Sequence, residues 1–174
     1  LLFTWWLYKR KGKSLGELGI NFKRSNLKLL PLGLLIGMVF SASLVLVQTW
    51  NNDLRIHINK QVDWLTVCAG LFALVQGVIN EELIFRGYCF KSAVERIGVT
   101  KSNLAFAFLF VVWHWISFNA WGNMALMLGL FTTAFGHLLF STSLLKSGTL
   151  YFPFAIHLGN NWAGKHLFAT GMES

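Results

Sequence analysis

The chain alternates long apolar runs with short polar, mostly basic breaks. Residues 29–52 contain no Asp, Glu, Lys or Arg, and neither do residues 64–80. Positions 102–145 run 44 residues without a formal charge, and residues 147–164 are also uncharged. A membrane-spanning helix needs about 20 mostly apolar residues. The 44-residue run is therefore too long for one span. It breaks at Ser117-Phe118-Asn119-Ala120-Trp121-Gly122-Asn123, a turn-rich cluster with an interfacial Trp.

These runs predict helical spans near 29–50, 63–97, 102–118, 124–145 and 149–168. Residues 1–8 read as the tail of a further helix, and 9–28 as a basic linker. The apolar runs are continuous rather than alternating, which disfavours a closed β-barrel. The fold class expected is all-α: a polytopic transmembrane helix bundle in one membrane-embedded domain. The chain starts at Leu1 without Met, which reads as an N-terminally truncated piece of a longer protein.

Composition sharpens this picture. Only 13% of the residues are charged and 55% are hydrophobic, whereas an ordinary soluble domain carries about 25% charged residues. The net charge of +8 would suit nucleic acid in a soluble protein. Here the basic residues sit between apolar runs, so no nucleic-acid partner is expected and the lipid bilayer is. With these spans, Lys9, Arg10, Lys11, Lys13, Lys23, Arg24, Lys28, Arg86, Lys91, Arg96, Lys101 and Lys146 fall on one side. Arg55, Lys60 and Lys165 fall on the other. Twelve against three places the first side in the cytoplasm, and in a bacterium the plasma (inner) membrane is the location expected. Cys68 and Cys89 have neither disulfide nor metal spacing and read as small apolar core residues. Gly33 and Gly37 have GxxxG spacing, which marks close helix contact or arises by chance.

Ionisable groups inside a span cost at least roughly 2.5–3.5 kcal/mol each at mid-membrane. Glu82 and Arg86 stand four apart on one helical face and can pair. Glu81 points about 100° away from Glu82 and is free for another partner. His114 lies mid-span between Trp113 and Trp115. His157 and Asn161 again share one face, with Pro153 loosening the turn before them. Each group has an ordinary structural reading: an ion pair at a helix end, or an interhelical hydrogen bond. His137 reads as a packing or hydrogen-bonding residue, and His57 and His166 fall near span ends.

Two carboxylates, two histidines and an asparagine on three spans make sense if they converge. A Glu/His pair can activate water as general base, and a second His with Asn can hold an oxyanion. Alternatively, Glu81, His114 and His157 could ligate zinc or another divalent metal.

The motifs Glu-Glu-x-x-x-Arg (81–86), Phe-x-x-x-His (110–114) and His-x-x-x-Asn (157–161) resemble those of a known family, in order and in spacing. It is the CAAX protease and bacteriocin-processing (CPBP, Abi) family of intramembrane proteases. Ser14-Leu15-Gly16-Glu17-Leu18-Gly19-Ile20 is similar to the family's linker before its second helix. The resemblance covers roughly residues 14–165 and implies an intramembrane endopeptidase acting on a peptide or membrane-protein substrate. It implies that Glu81 acts with His114 on water, that His157 and Asn161 form the oxyanion site, and that Glu82 and Arg86 organise it. Metalloprotease and metal-free glutamate-type mechanisms both fit. The alternative is a non-catalytic membrane immunity or scaffold protein that keeps the polar site.

Helix geometry adds one expectation. A helix ending at Arg86 would leave Glu81 only ~7 Å from its edge, while His114, counted from Lys101, lies ~20 Å in. The two meet if the helix continues, bent near Gly87, to about Ile97. A single long helix over 63–97 and a cavity opening to the cytoplasm follow.

Overall fold

The computed structural model describes residues 2–20, 23–51 and 62–168. Leu1, Arg55, His57 and Lys60 lie outside the described residues. Helix α1 spans Leu2–Arg10, and a 3-10 turn at Leu15–Leu18 follows. Next come α2 (Arg24–Leu27), α3 (Leu29–Asn51), α4 (Trp64–Arg86) and α5 (Tyr88–Ile97). Helices α6 (Val99–Ser117), α7 (Met124–Leu130), α8 (Thr133–Ser147) and α9 (Tyr151–Trp162) complete the set. A π-helical turn, Ala163–Leu167, continues α9. Among the described residues there is no strand. The protein is an all-α bundle, and four helical stretches are long and apolar enough to cross a membrane: Arg24–Trp50, Trp64–Ile97, Val99–Ser117 and Met124–Ser147.

Local chemistry sets the helix ends. Asp63 caps α4 by accepting a hydrogen bond from the Leu65 amide (3.0 Å) and one from the Thr66 hydroxyl (2.5 Å). Asn123 caps α7 through the Leu126 amide at 3.1 Å. Gly87 separates α4 from α5, and a Cβ there would lie 2.1 Å from the Leu83 carbonyl oxygen. Only glycine permits this break. Between α7 and α8, Thr132 and Thr133 turn their hydroxyls back onto the Gly129 and Leu130 carbonyls, a pattern that bends helices.

The outer surface of the bundle is apolar. Leu35, Val39, Leu46 and Val47 of α3, Phe72 of α4 and Leu104 and Phe108 of α6 are all exposed. Such a surface would aggregate in water and suits lipid, as in an integral membrane protein. Cys68 and Cys89 are also exposed, which corrects their reading as core residues. With an apolar solvent outside, a small apolar side chain gains little by turning inward.

One end of the bundle is tied together by the linker. Leu18 is fully buried against Tyr8, Leu83, Phe90, Leu144 and Leu150. The Leu150 amide donates to the Leu18 carbonyl at 2.8 Å, and the Thr149 hydroxyl donates to the Gly19 carbonyl at 3.0 Å. Gly19 has φ 68°, and its Cβ would fall 2.4 Å from the Gly148 oxygen. Lys13 pairs with Glu17 (3.3 Å) and Glu95 (3.5 Å), and Lys91 donates to the Glu17 carbonyl. Arg86 does not belong with these loop charges. It is fully buried within the bundle, so the twelve basic residues assigned to that side become eleven (12 − 1).

Helix α3 lies along α9 at backbone contact. A Cβ on Gly37 would stand 2.0 Å from the Ile156 oxygen, and one on Gly159 would stand 2.2 Å from the Leu34 oxygen. Gly33 meets Ala155 in the same seam. The side chains of α9 therefore hold their position because α3 lacks side chains where the helices touch. Gly37→Leu should lower stability by about 1–3 kcal/mol, the usual cost of overpacking. Gly129→Ala, with nothing within 4 Å of its Cβ, should be neutral or slightly stabilising. Thermal unfolding of both variants in detergent micelles checks this pair.

Candidate active site

Helix α4 carries two adjacent carboxylates whose environments differ. Glu82 faces the interior with no exposed surface, while the Glu81 side chain keeps 25%. One turn on, Arg86 Nη1 donates to Glu82 Oε1 at 3.1 Å, and Arg86 is also fully buried. The guanidinium packs against aromatic rings, 4.5 Å from the Phe110 centroid and 5.0 Å from that of Phe140. Aromatic faces stabilise a desolvated cation.

Helix α9 brings His157 to the same carboxylate. Its Nδ1 donates to Glu82 Oε1 at 2.8 Å, and its ring stacks on Phe140 with centroids 4.6 Å apart and an interplanar angle of 18°. Glu82 thus holds Arg86 and His157 on one oxygen. The other ring nitrogen, Nε2, lies 3.8 Å from Glu81 Oε2. That separation is too long for a direct hydrogen bond. It suits a site where a further group sits between the two.

His114 enters from α6. Its Nδ1 lies 2.8 Å from the Phe110 carbonyl. A carbonyl only accepts, so Nδ1 carries a proton. His114, His157, Asn160 and Asn161 line one cavity of about 460 Å³, with Thr132, Thr133 and Phe40 across from them. Asn160 Nδ2 donates to Asn161 Oδ1 at 3.4 Å, which leaves the Asn161 amide nitrogen as a donor. Glu81 lines a second cavity of about 510 Å³, with Asn80, Tyr88, Cys89 and Trp113.

The sequence suggested one pocket enclosing Glu81, both histidines and Asn161. The structure distributes them over two cavities, Glu81 lining one and His114, His157 and Asn161 the other, with Glu81 Oε2 3.8 Å from His157 Nε2. The His157–Asn161 spacing did not produce a bond between them among the described residues; Asn160 is the partner of Asn161. Sequence reasoning missed Asn160, Thr132, Thr133 and Phe140. As ordinary residues of apolar helices, they carry no signal of their own.

A metal finds no ready ligand set here. Among the described residues no three His, Cys, Asp or Glu side chains are grouped to hold one ion. Glu81, His114 and His157 therefore do not fit as a ligand trio in this geometry.

Comparison with known proteins gives one positive finding. The family model described as type II CAAX prenyl endopeptidase Rce1-like matches residues 63–163, the stretch that carries all three motifs. The chain belongs to this family. No curated protein and no solved structure matches it. Membership in the Rce1-like family makes it a protease of the CAAX type, in a bundle built for the membrane.

The buried Glu82–Arg86 pair generates a stability prediction. Arg86→Met should cost about 3–5 kcal/mol, because it leaves a buried carboxylate without its cation. Adding Glu82→Leu to the same chain should recover much of that loss. Chemical denaturation in micelles reads both, and equal stability of Arg86→Met and the unmodified chain would overturn the pairing.

Proposed function

We propose that this Rce1-like chain is an intramembrane endopeptidase that hydrolyses a peptide bond with water activated by Glu81 and His114. The carrying observation is the arrangement around His157: Glu82 on its Nδ1 at 2.8 Å and Glu81 Oε2 3.8 Å from its Nε2. Glu81 accepts a proton from water, and the resulting hydroxide adds to the scissile carbonyl. The Nε2 lone pair of His114 orients that water. The oxyanion is held by the Asn161 amide nitrogen and by His157, which Glu82 and Arg86 keep in place. Glu81 then returns the proton to the departing amine, so acid and base are one residue used twice.

The substrate class is a prenylated peptide or membrane-protein C-terminus, with bacteriocin-type precursors as a second class. The described helices act as one membrane-embedded domain. The end carrying the linker, α5 and the α8–α9 turn faces the cytoplasm. Eleven basic residues on that side support this. A bacterial chain of this kind sits in the inner membrane.

The full chain in proteoliposomes, given a prenylated peptide, tests the reading. Glu81→Gln should lower kcat by roughly 10²–10⁴-fold, the range for a general base. Asn161→Ala should lower it by roughly 10²–10³-fold, as for one oxyanion donor. Both should melt like the unmodified chain. Full turnover by Glu81→Gln sinks the mechanism. An unmodified chain that cleaves no prenylated or precursor peptide points instead to an immunity or scaffold role.

A further inference from the structure

His137, on α8, is outside the three motifs. It is fully buried, and neither of its ring nitrogens has a hydrogen-bond partner among the described residues. Its ring lies among three phenylalanines: Phe90 at 5.7 Å, Phe106 at 6.4 Å and Phe110 at 6.0 Å between centroids. Packing alone would be served by a fourth apolar ring. An imidazole kept there without partners is costly, and buried polar groups in native proteins are nearly always satisfied.

Other buried polar atoms among the described residues also lack partners. Buried side-chain atoms without partners among the described residues are Glu81 Oε2, Glu82 Oε2, Arg86 Nε and Nη2, Asn103 Oδ1 and both His137 nitrogens. All but the first belong to Glu82, Arg86, Asn103 and His137. Phe110 touches both Arg86 and His137. Asn103 sits on α6 one turn before Phe106, whose ring stacks on His137.

The donors and acceptors complement one another. Arg86 Nε and Nη2 carry three N–H groups without a partner among the described residues, and two of them can converge on one acceptor. Glu82 Oε2 and Asn103 Oδ1 each offer an acceptor. A neutral imidazole offers one donor and one acceptor. A water that receives both arginine donors can donate to Glu82 Oε2 and to one His137 nitrogen. A second water can join the other His137 nitrogen to Asn103 Oδ1, since the two are not directly bonded. Polar buried sites of this kind hold structural water.

We infer that His137 is a positioning residue for the reaction: with Asn103 it closes a buried, water-carried network on the outer side of Arg86, which fixes Glu82 and so His157. This rests on the function proposed above, because its effect on turnover passes through His157. His137 touches no reacting atom. It sets the orientation of the group that does.

The test uses the full chain in proteoliposomes with a prenylated peptide, in three variants. His137→Phe keeps the ring and removes the polar atoms. His137→Gln restores a donor and an acceptor. Asn103→Leu cuts the far end of the network and covers the case in which His137→Phe does not fold. His137→Phe and Asn103→Leu should lose roughly 10–100-fold in kcat, the usual cost of an outer hydrogen-bond partner. KM should stay within about twofold and the pH profile should move. His137→Gln should recover most of the rate. An unaltered kcat in both His137→Phe and Asn103→Leu overturns the inference, and so does equal impairment of the Phe and Gln variants, which would mark a packing role. Nitrogen-15 NMR of His157 in micelles separates this from the proposed function. Its ring signals should shift in His137→Phe even if the unmodified chain cleaves nothing, and unshifted signals reject the network whatever the activity.

Discussion

A charged carboxylate inside an apolar bundle must be neutralised where it stands, and Glu82 meets that demand twice over. Arg86 reaches one oxygen from a turn below, and the Nδ1 proton of His157 reaches the same oxygen from another helix. Neither ligand is exposed to solvent in any significant degree. In a low-dielectric interior such contacts hold strongly when complete and cost several kcal/mol when one member is lost. The orientation of His157, and through it the relation of α4 to α9, follows from that single carboxylate.

The second constraint is steric. The α3–α9 seam works because Gly33, Gly37 and Gly159 let two backbones touch. In lipid, helices gain little from hydrophobic attraction, so close packing takes on more of the work. The seam sets how deep His157 and Asn161 sit, while Gly87 lets the chain after Arg86 change direction without disturbing the turn that holds Glu82. The linker then closes one end, with Leu18 and Gly19 seated against the α8–α9 turn.

Much of this was legible from residue order. The all-α membrane bundle follows from uninterrupted apolar runs, and the family from three motifs in series. The Glu82–Arg86 contact follows from i,i+4 spacing on one helix. The Glu82–His157 bond spans 75 positions, and no periodicity reports on such a pair. Hydropathy also failed to tell inside from outside. Cys68 is apolar enough for a core, yet in a bilayer the outer face accepts the same residue, and Cys89 lines the Glu81 cavity. Arg86 ends an apolar run and so resembles a loop charge, but its aromatic surroundings come from α6 and α8, far along the chain. The break between α7 and α8 falls in an unbroken apolar stretch. Two threonine hydroxyls competing for carbonyls make it, a local effect that composition hides.

The division of the polar groups between two cavities bears on the shape of whatever is cleaved. A strand lying across the Glu81–His157 boundary would present one flank to each chamber. No chain passes between two atoms 3.8 Å apart, so a substrate must offer its carbonyl to them from one side, and a carbonyl inside a helix is tied to the amide four residues on and shielded by its own turn. On the proposed reading, only an unwound segment can be cut. Selectivity would then begin with how easily a tail gives up its helical turns, before any side chain is recognised.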